Sequence, residues 1–198
     1  MKNLFLALAL TSLSTSALSA ADYLVDTNKS VIKWVGSKVA SQHDGTLKLK
    51  AGKFRVAKDK VSGNFDIDMT TIKNLDIESA EYNAKLVNHL KSDDFFSVSK
   101  FPKATYVILS SKKVKGQTYE ITGNLTIKGI TKKVSFKADI MENGNQATVK
   151  GKAHFDRTHF NIKYNSKSFF DIKKLGDKMI KDKIELTFDI KANKGKAS

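Results

Sequence analysis

In KIELTFDIKA, residues 183–192, every second side chain is apolar: Ile184, Leu186, Phe188 and Ile190 alternate with Glu185, Thr187, Asp189 and Lys191. Successive side chains of a strand point to opposite faces, so this pattern specifies a ribbon with one dry face and one wet face. The pattern recurs at Val61, Gly63, Phe65, Ile67 and Met69, at Tyr119, Ile121, Gly123, Leu125 and Ile127, and at Val134, Phe136, Ala138 and Ile140. Weaker alternation runs through residues 31–35, 47–56, 105–109, 147–155 and 160–164. Between the runs, Gly116, Gly129 and the Asn143-Gly144 pair read as tight turns able to take positive φ, which joins antiparallel neighbours. A meander of one-sided strands has two open edges and a greasy face. Closing it into an eight-stranded antiparallel barrel removes all three, and such a barrel holds either packed side chains or one small ligand.

One segment changes period. Over residues 77–91 Ser79 is placed to cap a helix, Glu81 falls in its first turn, and Tyr82, Leu86 and Leu90 recur at four-residue steps. A single short helix inserted between strands of an all-β chain covers one end of the barrel, at its mouth. Residues 166–181, SKSFFDIKKLGDKMIK, follow neither period and read as a long loop beside that mouth.

The first 21 residues carry Lys2, an apolar run over residues 4–10 and small residues near Ala20 and Ala21, the signature of a secretory signal. Removing them from 198 residues leaves 177, the length of a single soluble, exported domain. The chain has no cysteine, which excludes disulfides, thiolate metal sites and thiol nucleophiles, and its one proline and lack of repeats give no linker. Net charge is +15, yet only Arg55 and Arg157 are arginine, the side chain that bidentate phosphate and base recognition uses most. The charge therefore argues for a lysine-covered surface attracted to anionic membranes or lipopolysaccharide, and against nucleic acid.

The densest chemical cluster is HLKSDDFFSVSKFP, residues 89–102. Its His89 and the other histidines, His43, His154 and His159, lack metal-ligand spacing, and no nucleophile elbow or phosphate loop occurs anywhere. We assign no catalytic residue, metal or cofactor. Ser92, Asp93 and Asp94 are turn and cap formers where the helix stops, with Phe95, Phe96 and Phe101 as anchors.

That stretch, together with LTIKGITKKV (residues 125–134) and WVGSKVASQHDG (residues 34–45), resembles the YceI-like family of periplasmic lipid- and polyisoprenoid-binding proteins. The match runs residue by residue through His89, Leu90, Ser92, Asp94, Phe95, Phe96 and Pro102, and through Leu125, Thr126, Gly129, Thr131 and Val134. The chain departs from the pattern at Leu86-Val87-Asn88, where many members carry an Arg-Asp pair, and at Lys133, where many carry proline. The resemblance implies a lipocalin-like barrel whose apolar pore holds an isoprenoid, quinone or other lipid as ligand, in a dimeric periplasmic protein. On that basis Trp34, Phe54, Phe65, Ile67, Leu86, Leu90, Phe96, Phe136, Phe155, Phe160, Phe169 and Phe170 are expected to line the pore. Two other classes stay open on sequence: an enzyme acting on a lipid or quinone through His89 or His154 with nearby carboxylates, and a binder of polyanions or membrane surfaces.

Overall fold

Each alternating run becomes a strand that pairs antiparallel with its sequence neighbour, and the ladder continues until it meets itself. The computed structural model describes residues 20–195. The strands are β1 (Ala21–Val25), β2 (Val31–Ser37), β3 (Gln42–Ala57), β4 (Lys60–Asn74), β5 (Lys103–Lys115), β6 (Thr118–Ile127), β7 (Ile130–Asn143), β8 (Gln146–Asp156) and β9 (Lys183–Lys194). Helix α1 (Ala80–Lys91) is inserted between β4 and β5, and α2 (Ile172–Leu175) lies between β8 and β9. Strands β4 to β9 pair in chain order, β9 pairs with β2, β2 with β3, and β3 with β4, which closes the ring. Strand β1 occupies the same slot as β2: both lie between β3 and β9, β1 against Lys53–Val56 and β2 against Gln42–Leu47. Nine strands thus make eight staves, and the protein is the closed antiparallel barrel that the alternation requires.

The break between β1 and β2 is held by Ser30, which is buried. Its Oγ donates to the Asp26 carbonyl at 2.7 Å and accepts from the Lys191 amide at 3.0 Å, so the interrupted stave keeps a bond to β9. The sequence reading missed β1 because its first residue falls inside the assigned signal. Residues 1–19 of that signal lie outside the described residues.

Two local expectations fail. Residues 160–164 form no strand: Asp156 caps a 3₁₀ turn over Arg157–Phe160, and Asn161 and Asn165 adopt left-handed φ values of 58° and 49°. Asparagine enters that region readily, and a chain that does so twice in five residues cannot stay extended. The β7–β8 turn is also one residue later than expected. Asn143 pairs with Gln146, so Gly144 and Asn145 form the turn, with Gly144 at φ 59°.

The barrel's ends differ. At one end lie the β2–β3 turn, the excursion carrying α1, the β6–β7 hairpin and the β8–β9 connection. The opposite end holds the three other hairpins and both described termini, where the Gly195 amide donates to the Asp22 carbonyl at 2.8 Å. That end is a floor. Tyr23 stacks on Phe54 with ring centroids 5.1 Å apart and donates from its hydroxyl to Glu142 Oε1 at 2.6 Å. Burial, with the Glu142 acceptor, pushes the Tyr23 phenol up to about 12.

Glycines on the inward faces let large rings lie against the wall instead of crossing the lumen. Tyr106 leans over Gly123, Phe188 over Gly151 and Trp34 over Gly45. A Cβ on Gly123 would come within 2.5 Å of both Tyr106 Cζ and the Val107 carbonyl oxygen. Gly123→Ala should therefore destabilise the barrel by about 1–3 kcal/mol, as overpacking does, lowering the calorimetric Tm by several degrees. At Gly36 the nearest atom to an added Cβ is 3.8 Å away, so Gly36→Ala should leave Tm within error of the parent.

Candidate functional site

The inward side chains do not meet at the axis. They enclose a cavity of about 420 Å³, within the range of about 300–1,000 Å³ usual for ligand pockets. Above the floor its deep end is bounded by Val61, Ile121, Ile140, Val149 and Ile190, all buried. Midway, Phe136 lies 5.2 Å from Tyr106 and 5.3 Å from Phe188, centroid to centroid, making an aromatic band across the alternate staves β5, β7 and β9. Tyr106 spends its hydroxyl on the Val134 carbonyl at 3.0 Å, and burial pushes its pKa up, so it presents an uncharged ring to the lumen. Polar and solvent-reaching groups join the lining only at the helix-bearing end: Ser37, Lys38, His43, His89, His154, Arg157, Asn165 and Lys178. That end is the mouth.

Nine of the twelve residues expected in the pore do line this cavity: Trp34, Phe54, Phe65, Ile67, Leu86, Leu90, Phe96, Phe136 and Phe155. Three do not. Phe160 is 1% exposed but sits edge-on to Phe155 at 5.5 Å, outside the lining, because the 3₁₀ turn takes it off the strand. Phe169 and Phe170 are 49% and 51% exposed on the β8–β9 connection, where no strand parity turns them inward. Tyr106 and Phe188, two lining residues passed over, stand in register on the same alternating faces and follow from parity alone. Tyr164, in contrast, reaches the mouth from a loop whose weak alternation suggested a strand that does not form.

The mouth is braced by histidine–carboxylate pairs. His43 Nδ1 lies 2.8 Å from Asp76 Oδ2, and Asp76 also accepts from the Asp44 amide at 2.9 Å and from the Asn74 side-chain amide. Burial disfavours the Asp76 charge, but these hydrogen bonds outweigh it and hold the carboxyl below its usual range. His89 Nε2 meets Asp94 Oδ2 at 3.1 Å while its ring wedges edge-on between Phe95 and Tyr164, at 4.9 and 4.7 Å. Ser92 ends α1 with its Oγ donating to the His89 carbonyl at 2.8 Å, and Phe95 and Phe96 turn down into the cavity lining. HLKSDDFF is a hinge-pin for the roof: α1 contributes Leu86 and Leu90 to the lining, and the following turn contributes the two phenylalanines. His154 is exposed and pairs across the ladder with Glu185 on the outward parity of β8, and borders the cavity only at the mouth end of that strand.

Arg157 organises the rest of the rim. Its guanidinium, 1% exposed, donates to the carbonyls of Lys181 at 3.2 Å, Ile162 at 2.9 Å and Ile180 at 3.0 Å, and lies 3.3 Å from Asp182. Burial pulls its pKa down, and the nearby Asp182 and Asp156 oppose that pull. Asp182 in turn accepts from Ser168 Oγ at 2.7 Å. The long β8–β9 connection is thereby folded back onto the β2–β3 turn, where the Lys181 amide donates to the Ser37 carbonyl at 2.8 Å.

The family model of the YceI-like domain matches residues 23–192. A UPF0312 protein of Enterobacter sp. (strain 638) is 33% identical over 165 residues, covering 79% of this chain and 81% of the relative. Among solved structures, BcnA of Burkholderia cenocepacia superposes with a TM-score of 0.67 at 25% identity, covering 85% of this chain and 99% of that one. A polyisoprenoid-binding domain from Saccharophagus degradans shares the fold at 10% identity, with a TM-score of 0.61 over 89% of this chain and 100% of that domain.

Two outcomes test the rim. Arg157→Met strips three buried carbonyls and Asp182 of their partner and should cost about 3–5 kcal/mol in urea unfolding, with faster amide exchange over residues 160–182. Asp76 has a depressed folded-state pKa, so its stabilisation is present above the unfolded value of about 4 and is lost as pH falls through the folded value. The stability gap between the parent and Asp76→Asn should accordingly be open at neutral pH and close below about pH 4 in chemical denaturation.

Proposed function

The chain belongs to the YceI-like family, and from that premise we propose that it is an exported periplasmic carrier that holds a long-chain isoprenoid, quinone or similar apolar lipid inside its barrel. The observation that carries this reading is the distribution of polarity in the cavity: aliphatic and aromatic along its length, polar only at the rim. An amphipathic lipid matches that gradient, tail inward and head group at the mouth. Each methylene transferred from water into such a lining contributes about 0.8 kcal/mol, so a lipid tail supplies ample affinity before ordering costs. The likeness of the fold to a polyisoprenoid-binding domain supports the same ligand class. No covalent step is required of the protein, and His43 and His89 serve as braces. Export by residues 1–21 and a dimeric state belong to the same reading.

Native mass spectrometry of protein purified from its own periplasm, followed by solvent extraction, should show a stoichiometric apolar adduct. Phe136→Lys places an ammonium between Tyr106 and Phe188 and should abolish that adduct, as should Phe65→Lys, because an unpaired charge in an apolar lining is strongly disfavoured. A folded Phe136→Lys protein that keeps full occupancy overturns the assignment of the lumen.

A further inference from the structure

Most of the large apolar side chains exposed among the described residues gather at the mouth; Leu24 on β1 and Val107, Leu109 and Val114 on β5 lie elsewhere. Val39, Leu75, Tyr82, Phe169, Phe170 and Ile172 are each between 49% and 62% exposed, and all six stand at the mouth. They come from separate segments: the β2–β3 turn, the residue after β4, α1 and the β8–β9 connection. The fold draws these segments to one end, where Lys38 bridges to Ile180 and the Leu75 amide donates to the Asp44 carbonyl at 2.9 Å. The floor, by contrast, buries its aromatic rings.

The part of this rim that carries Phe169, Phe170 and Ile172 is cationic. Residues 161–182 contain six lysines and three aspartates. Of those aspartates, Asp182 is buried against Arg157, and Asp171 caps α2 by accepting from the Lys173 amide at 2.9 Å. Lys163 Nζ lies 4.6 Å from the Phe169 ring, so cation and aromatic face sit side by side on the surface. Exposed rings and aliphatics interleaved with lysines are the composition of an interfacial anchor: the apolar groups enter the acyl boundary while the ammonium groups meet anionic head groups.

We propose that the mouth rim, centred on Phe169, Phe170 and Ile172 with Lys173 and Lys174, docks on an anionic lipid bilayer. Docked this way, the barrel's opening faces the membrane, and a lipid tail passes between bilayer and cavity without crossing water. The transfer role rests on the reading of the cavity as a lipid site; the docking itself does not.

The test is co-sedimentation of the mature protein with vesicles of phosphatidylcholine, with and without phosphatidylglycerol. Binding is expected to the phosphatidylglycerol vesicles only and to weaken with added salt, since exposed charges are screened beyond about 8 Å at physiological ionic strength. Combined Phe169→Ser, Phe170→Ser and Ile172→Ser should weaken it by about tenfold or more. Lys173→Gln with Lys174→Gln should weaken it and flatten the salt dependence. Val107→Ser with Leu109→Ser, exposed on β5 away from the rim, should change nothing. Should the triple serine variant fail to fold by circular dichroism, the lysine pair and single Phe170→Ser decide the matter. Vesicle binding that is absent in the parent, or unaltered by the rim substitutions, overturns the proposal. So does loss of a dimer in the rim variants with vesicle binding intact, which would make this face a contact between copies. The mass-spectrometric adduct is scored separately. Adduct without vesicle binding refutes docking alone, and vesicle binding without adduct refutes the lumen reading while docking stands.

Discussion

The ladder between β3 and β4, which runs from Gly45 paired with Asn74 to Ala57 paired with Lys60, turns a sheet into a tube, and everything else depends on it. With that pairing made, no edge of the sheet is left open, and each residue's side is settled by its parity along a strand. What parity leaves undetermined is whether the inside is full. Here glycine decides. Where Gly45, Gly123 and Gly151 replace a side chain on the inner wall, a neighbouring ring settles flat into the space. Rings that would otherwise meet at the axis become wall, and the centre stays empty.

The barrel was legible because period-2 alternation is a local signal with a global meaning. Six of the nine expected residues that line the cavity follow from it, α1 adds Leu86 and Leu90 through its own periodicity, and Phe96 comes from the turn after α1. The failures lie where the backbone leaves both periods. Phe160 looked like an inward strand residue, but Asp156 and Asn161 wrap its neighbourhood into a 3₁₀ turn. Phe169 and Phe170 had the right chemistry and no periodic frame to orient them. The β7–β8 turn shifted by one residue because Gly144 can take positive φ as the first turn residue as readily as the second. The rim was least legible, since residues as far apart as Ser37 and Lys181 define it through backbone contacts no pattern announces.

Chemistry and architecture divide the charged side chains in a way the composition conceals. A basic chain of this kind invites a search for a phosphate site, yet the one buried cation among the described residues, Arg157, is consumed by main-chain carbonyls and Asp182. The other arginine, Arg55, forms an exposed fork with Asp22, Nε and Nη2 at 2.7 and 2.6 Å from the two carboxylate oxygens, at the floor. His43 and His89 are likewise committed to carboxylates that pin the roof segments. His43, His89 and Arg157, charged and titratable groups that border the lumen, have been given structural partners outside it.

Both described termini emerge at the floor, bound to each other through Gly195 and Asp22. A fluorescent reporter, affinity handle or surface linker attached at either one therefore sits a full stave's length from the mouth. Such an attachment leaves the opening free and fixes the direction in which it points. An immobilised layer of this protein would present its cavities outward in a single orientation. The adjacency of the ends also means that a short linker could join them, with new ends cut at the β5–β6 hairpin on the same floor, without disturbing the rim.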